Sequence, residues 1–151
     1  MDGQGQRVMV VDNDRTVLEL LQIRLEVAGY RAYVVRHGRQ ALELVQQIRP
    51  AAMIVEAHPG GAGIEIDGFE IVSSIRARCP EQHFPIVMTG RNLTADDVRR
   101  ALVCGAQNCM AKPYSGADAV ERIGRLLQAA HHPQPQLPRP VFSTAPAVVY
   151  V

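Results

Sequence analysis

Short apolar runs alternate along this chain with longer stretches in which apolar residues recur every three to four positions. The runs at residues 7 to 11, 52 to 55, 86 to 89 and 107 to 111 read as buried strands, and Arg31 to Val35 as a fifth. Asp14 is placed to cap a helix whose Val17, Leu18, Leu21, Leu25 and Ala28 share one stripe, with Gly29 supplying the left-handed residue that ends it. Gly38 to Arg49 repeats the pattern through Ala41, Leu42, Val45 and Ile48 and stops at Pro50. A third helix is predicted from about Gly68 to Arg78, with Phe69, Val72 and Ile75 inward and Pro80 behind it. Thr94 caps a fourth, Ala95 to Cys104, closed by Gly105, and Ser115 a fifth that reaches about Ala130.

Strands separated by helical segments require right-handed crossovers, hence a parallel sheet covered on both faces, the doubly wound α/β class. Ligands of such sheets bind beyond the carboxyl ends of the strands. The residues there are Asp12-Asn13-Asp14, Glu56-Ala57-His58, Thr89-Gly90 and Lys112-Pro113. Acids, a hydroxyl and an amine are therefore expected to converge at one edge.

Composition sharpens this picture. Sixteen basic against fifteen acidic residues give a net charge of +1, which argues against a protein that binds DNA through diffuse attraction to phosphates. Fifteen of those sixteen basic residues are Arg, so Lys112 is the only lysine. No stretch approaches the roughly 18 apolar residues of a membrane span, and the start lacks the basic and apolar regions of a secretory signal, so a cytoplasmic protein is expected. Cys79, Cys104 and Cys109 lack the spacing of a metal site or a disulfide framework and read as reduced thiols. From His131 onward, ten residues contain four prolines and the sequence finishes in Val141-Phe142 and Ala147 to Val151. The expected organisation is one domain over residues 1–130 and a Pro-rich tail over 131–151 that docks on its own domain or a partner.

Over residues 7 to about 130 the chain resembles the response-regulator receiver family (CheY-like), the phosphoacceptor modules of two-component signalling. The resemblance rests on Val10-Val11-Asp12-Asn13-Asp14, Asp67-Gly68, Thr89 and Lys112-Pro113-Tyr114, in that order at the corresponding strand and helix ends. It implies the flavodoxin-like strand order 2-1-3-4-5. It also implies a pocket of Asp12, Asn13, Glu56, Thr89 and Lys112, in which Asp12, Asn13 and Glu56 match the Mg²⁺ ligands and Glu56 matches the phosphoacceptor. Thr89 and Lys112 match the residues that read the phosphoryl group, and Lys suits this as a compact point charge on a flexible stem.

Three departures fall on the chemistry. Asn13 stands where the family has an acid, Glu56 is one methylene longer than the acceptor Asp, and Cys109 stands where a switch aromatic is usual. Asp12, Glu56 and Lys112 sum to about −1, against about −2 for the family set, so a weak or absent Mg²⁺ site and no essential cofactor are expected. The longer Glu56 side chain is expected to reach Lys112 or Thr89. These departures indicate a degenerate, stand-alone receiver without enzymatic activity that docks to a histidine kinase, a phosphotransfer protein or another regulator, with a homodimer open. The competing readings are a Mg²⁺-dependent regulator still phosphorylated on an acid, and a sensor of an anionic nucleotide messenger.

Several features carry blander readings. Asp14 is best explained as a helix cap, His58 as a solvated loop histidine, and Arg99, Arg100, Arg122 and Arg125 as a solvated face. The segment His58 to Ile66 is about four residues longer than the family's usual connection and is expected to be a mobile recognition loop.

Overall fold

The computed structural model describes residues 4–59 and 66–131. Five strands and five helices alternate: β1 (Arg7–Val11), α1 (Arg15–Val27), β2 (Arg31–Val35), α2 (Gly38–Ile48), β3 (Ala52–Glu56), α3 (Gly68–Arg78), β4 (Ile86–Gly90), α4 (Ala95–Cys104), β5 (Asn108–Ala111) and α5 (Gly116–His131). All pairings are parallel, as the alternation of strands and helices implies, and the sheet order is β2-β1-β3-β4-β5, as the resemblance implies.

Alternation within the strands sends side chains to two apolar layers. Val8, Val10, Ile54, Val87 and Met110 pack against Leu18, Leu21 and Leu25 of α1 and Ala119, Ile123 and Leu127 of α5. Met9, Val11, Met53, Val55, Ile86 and Met88 face the opposite way, toward α2, α3 and α4. Because β3 and β4 are buried at every position, their sequences read as continuous apolar runs and not as alternation.

The helix ends follow the local chemistry. The Asp14 carboxylate accepts from the backbone N–H groups of Thr16 and Val17, satisfying donors that have no partner within α1. At α4, Thr94 and Asp97 form a reciprocal capping box. Gly29 and Gly105 take φ of 98° and 118°, the left-handed values that close α1 and α4. Ser115 caps α5 by accepting from the Asp118 N–H. The helix takes in His131, one residue beyond the expected domain boundary.

β3 and β4 each run one residue past the expected end, to Glu56 and Gly90, and two further boundaries differ for reasons of local chemistry. Gln107 lies outside β5: its side-chain oxygen accepts from the Ile86 N–H at 2.8 Å and from Arg76, so it fastens the strand entrance instead of extending it. Arg49 is the left-handed cap of α2 and not its last turn, since the following Pro50 disfavours helical geometry at that residue. The tail beyond residue 131 and the loop residues 60–65 lie outside the described residues. Among the described residues no helix is long and apolar enough to cross a membrane.

Candidate functional site

The carboxyl edge of the sheet collects its side chains by register. Glu56, the last residue of β3, pairs with Thr89 of β4, and Asp12 follows Val11, which pairs with Val55. Lys112 follows β5, its backbone N–H donating to the Gly90 carbonyl at 2.9 Å. Asp12, Glu56 and Thr89 are the buried polar residues of the described chain, 3%, 8% and 0% exposed.

One ammonium joins the two carboxylates. Lys112 Nζ lies 2.7 Å from Asp12 Oδ2 and 3.1 Å from Glu56 Oε1. The Thr89 hydroxyl donates to the other oxygen, Glu56 Oε2, at 3.3 Å. Asp12 Oδ1 in turn accepts the Asp14 backbone N–H at 2.9 Å. Each of the four carboxylate oxygens thus has a donor, which is what buried charge requires. The longer Glu56 side chain reaches both Lys112 and Thr89, where either one was expected.

The two carboxylates are not equivalent. Burial is the largest influence on Glu56 and raises its pKa above the ordinary value of 4.5, outweighing the attraction of Lys112. For Lys112, burial favours the neutral amine, but the hydrogen bond and charge of Asp12, aided by Glu56, more than offset this and raise its pKa above 10.5. The shorter contact and the larger influence both belong to Asp12. Glu56 is therefore the less compensated charge of the three.

The remaining expected residues surround this core. Asn13 is half-buried and lines two clefts beside the pair, a small one shared with Arg36 and Pro59 and a larger one shared with Asp14, His58, Arg91 and Lys112. Cys109 is 2% exposed and faces the α3 and α4 layer; burial pushes its thiol up to about 11, so it is protonated and inert at neutral pH. Its carbonyl accepts from Arg122, which also donates to Asn108 Oδ1 at 2.6 Å, so Arg122 is a strap across the β5 entrance and not a solvated face.

His58 and Arg100 are exposed, as the bland reading has it, and both also make contacts that the sequence did not indicate. The His58 Nε2 atom is 3.3 Å from Asp97 Oδ1 in the first turn of α4, and its ring meets the edge of Phe69 with centroids 5.4 Å apart. The Arg100 guanidinium also lies over Phe69, 4.2 Å from the ring centroid, and 3.7 Å from Asp67 Oδ2. Together they form a clasp that joins the segment after β3 and the start of α3 to α4. The Tyr114 hydroxyl was likewise not singled out by sequence: it is buried beside the cluster without a hydrogen-bond partner, and burial raises its pKa.

Gly68 explains how α3 begins so near the site. Its N–H donates to the Ala57 carbonyl at 2.8 Å, and an added Cβ would overlap the Glu56 carbonyl oxygen. Only glycine lets the helix approach the end of β3 this closely.

A doubly wound parallel sheet in the order 2-1-3-4-5, carrying buried carboxylates, a hydroxyl and a lysine at its carboxyl edge, defines a domain of the CheY-like class. Residues 8–124 match the family model of the response regulator receiver domain, and the chain belongs to that family. It is 31% identical over 123 residues to the DNA-binding response regulator MtrA of Mycobacterium tuberculosis, covering 82% of this chain and 51% of that protein. It is also 31% identical over 123 residues to the response regulator MprA of Mycolicibacterium vanbaalenii, covering 81% and 50%. The chain thus spans about half the length of the curated relatives it matches.

Solved structures repeat the fold. A CheY-like receiver domain from Methanospirillum hungatei superposes with a TM-score of 0.76 at 18% identity, covering 85% of this chain and 98% of that one. A response regulator from Chloroflexus aurantiacus does so at 0.72 with 27% identity, covering 82% and 98%.

Proposed function

We propose that this receiver works as a protein-docking module of two-component signalling whose pocket is set by an internal ion pair and not by phosphoryl transfer. The observation that carries this reading is Lys112 Nζ held between Asp12 and Glu56 while Thr89 donates to the far oxygen of Glu56. In a phosphorylatable receiver the lysine and the hydroxyl read a phosphoryl group. Here the longer Glu56 side chain brings a carboxylate to both, occupying the donors from within the chain. The partners that fit are a histidine kinase, a phosphotransfer protein or another regulator. An enzymatic role and DNA contact by these residues are not part of this reading.

The donor set supports the same view of Mg²⁺. Octahedral Mg²⁺ requires oxygen ligands at about 2.1 Å and charge to offset its reluctant dehydration. The residues at the matching positions are two carboxylates already satisfied by Lys112, Thr89 and the Asp14 N–H, plus the neutral amide of Asn13. No group of three His, Cys, Asp or Glu residues placed to hold a metal is present among the described residues. These residues do not fit Mg²⁺ well, and no step is routed through it.

Intact mass after incubation with Mg²⁺ and acetyl phosphate tests the reading, with Glu56→Asp run beside the natural chain. The expected result is no adduct on the natural chain and a phosphoryl mass on the variant, whose shorter acid restores the in-line approach. An adduct on the natural chain would make this a working phosphorylation switch and sink the proposal.

A further inference from the structure

Helix α1 carries a second apolar stripe directly opposite the one that packs on the sheet. Leu18, Leu21 and Leu25 face the core, whereas Leu20, Ile23 and Val27 face away from it and are 38%, 61% and 80% exposed. The described chain has four exposed large apolar side chains, and three of them lie on this stripe. With Thr16, also exposed, they alternate by four, three and four residues, the spacing of the a and d positions of a two-stranded coiled coil. Val103 on α4, the fourth, stands alone.

The charges beside the stripe are sorted by sign. In this register Glu19 and Glu26 fall on the g flank and Arg24 on the e flank. All three are exposed, and none of their side chains has an ion-pair partner among the described residues. The Arg24 stem packs on Gly116 of α5, which fixes it to that side of the helix. When two such helices lie parallel, the g flank of each meets the e flank of the other, so Glu19 faces Arg24 of the second copy. An antiparallel pair would set acid against acid and arginine against arginine.

We propose that α1 is a self-association surface on which a second copy of this chain docks in parallel about a two-fold axis. Thr16, Leu20, Ile23 and Val27 form the seam, and Glu19 to Arg24 contacts fix its direction. A helix of this length spans about 20 Å, so the seam alone buries less than the roughly 1,200 Å² typical of stable complexes. The dimer is therefore a weak one, forming in the high micromolar range, on the order of 10⁻⁴ M.

Sedimentation of the full chain over a concentration series up to about 1 mM tests this. The expected result is a rising average mass for the natural chain and at least about tenfold weaker association for Ile23→Asp, with unchanged circular dichroism because residue 23 belongs to neither core layer. Either Glu19→Arg or Arg24→Glu alone is expected to weaken association about threefold, and the two together to restore it. An Ile23→Cys variant is expected to form a covalent dimer on mild oxidation, because a parallel seam sets residue 23 against its own copy. A chain that stays monomeric throughout, or a double charge reversal that fails to restore association, overturns the proposal. So does self-association through Ile23 that appears only after residues 132–151 are removed, which would assign the stripe to the chain's own terminal segment.

Discussion

Two polar contacts flank the end of β3, and their surroundings give them different consequences. At Glu56 the charges are enclosed: Asp12, Glu56 and Lys112 have side chains 2%, 9% and 6% exposed. Two residues further on, His58 pairs with Asp97 while its own side chain is 50% exposed. Contact distances of 3.1 Å for Lys112 to Glu56 and 3.3 Å for His58 to Asp97 hardly separate them. Solvent does. In the enclosed cluster, removing Lys112 leaves two carboxylates with no cation between them; in the clasp, water takes the partner's place.

The largest effect that would break this contrast is at Lys112. Lys112→Met is expected to cost about 3 kcal/mol in urea unfolding at neutral pH, the low end for a broken buried pair because Glu56 takes up a proton readily. Adding Glu56→Gln should recover part of that loss, and a cost under about 1 kcal/mol for Lys112→Met would show that the cluster is solvated after all.

A second, intermediate test uses pH. The pKa of Glu56 is raised in the folded chain, so its contribution is fully present below the unfolded value of 4.5 and is lost as pH rises through the folded value. Stability of the natural chain should therefore gain a component on acidification from neutrality toward 4.5 that the Glu56→Gln variant lacks. Lys112 acts at the other end: its raised pKa gives stability present below 10.5 and lost as pH rises through the folded value. Parallel curves for the natural chain and Glu56→Gln between 4.5 and 7 would remove the asymmetry assigned to the two carboxylates.

The smallest effect belongs to the clasp. His58→Ala is expected to cost on the order of 0.5 kcal/mol, while hydrogen exchange in the first turn of α4 rises. A loss as large as that of Lys112→Met would place the clasp among the enclosed pairs.

The cluster was legible in the sequence because a parallel sheet converts strand ends into neighbours, so Asp12, Glu56, Thr89 and Lys112 needed only correct strand positions. Caps at Asp14, Thr94 and Ser115 were legible because their chemistry is local. The clasp was not. His58 and Asp97 are 39 residues apart, and a histidine beside a proline carries no mark of an α4 partner. Arg100 and Arg122 were hidden for the same reason: an arginine on a helix looks solvated until the ring or carbonyl beneath it is placed. Gln107 was read as strand because periodicity counts residues and not the side-chain hydrogen bond that displaced it.

The solitary lysine gives the chain a built-in reporter of its own breathing. Acylating reagents attack neutral amines, and the one ε-amine here is both shut away from solvent and held in its ammonium form by two neighbouring acids. The folded molecule is consequently almost silent to such reagents at this position, and each label that does appear there records one opening of the carboxyl edge. Slow acylation followed by mass would thus time how often the pocket comes apart, in a protein where no other lysine confuses the count.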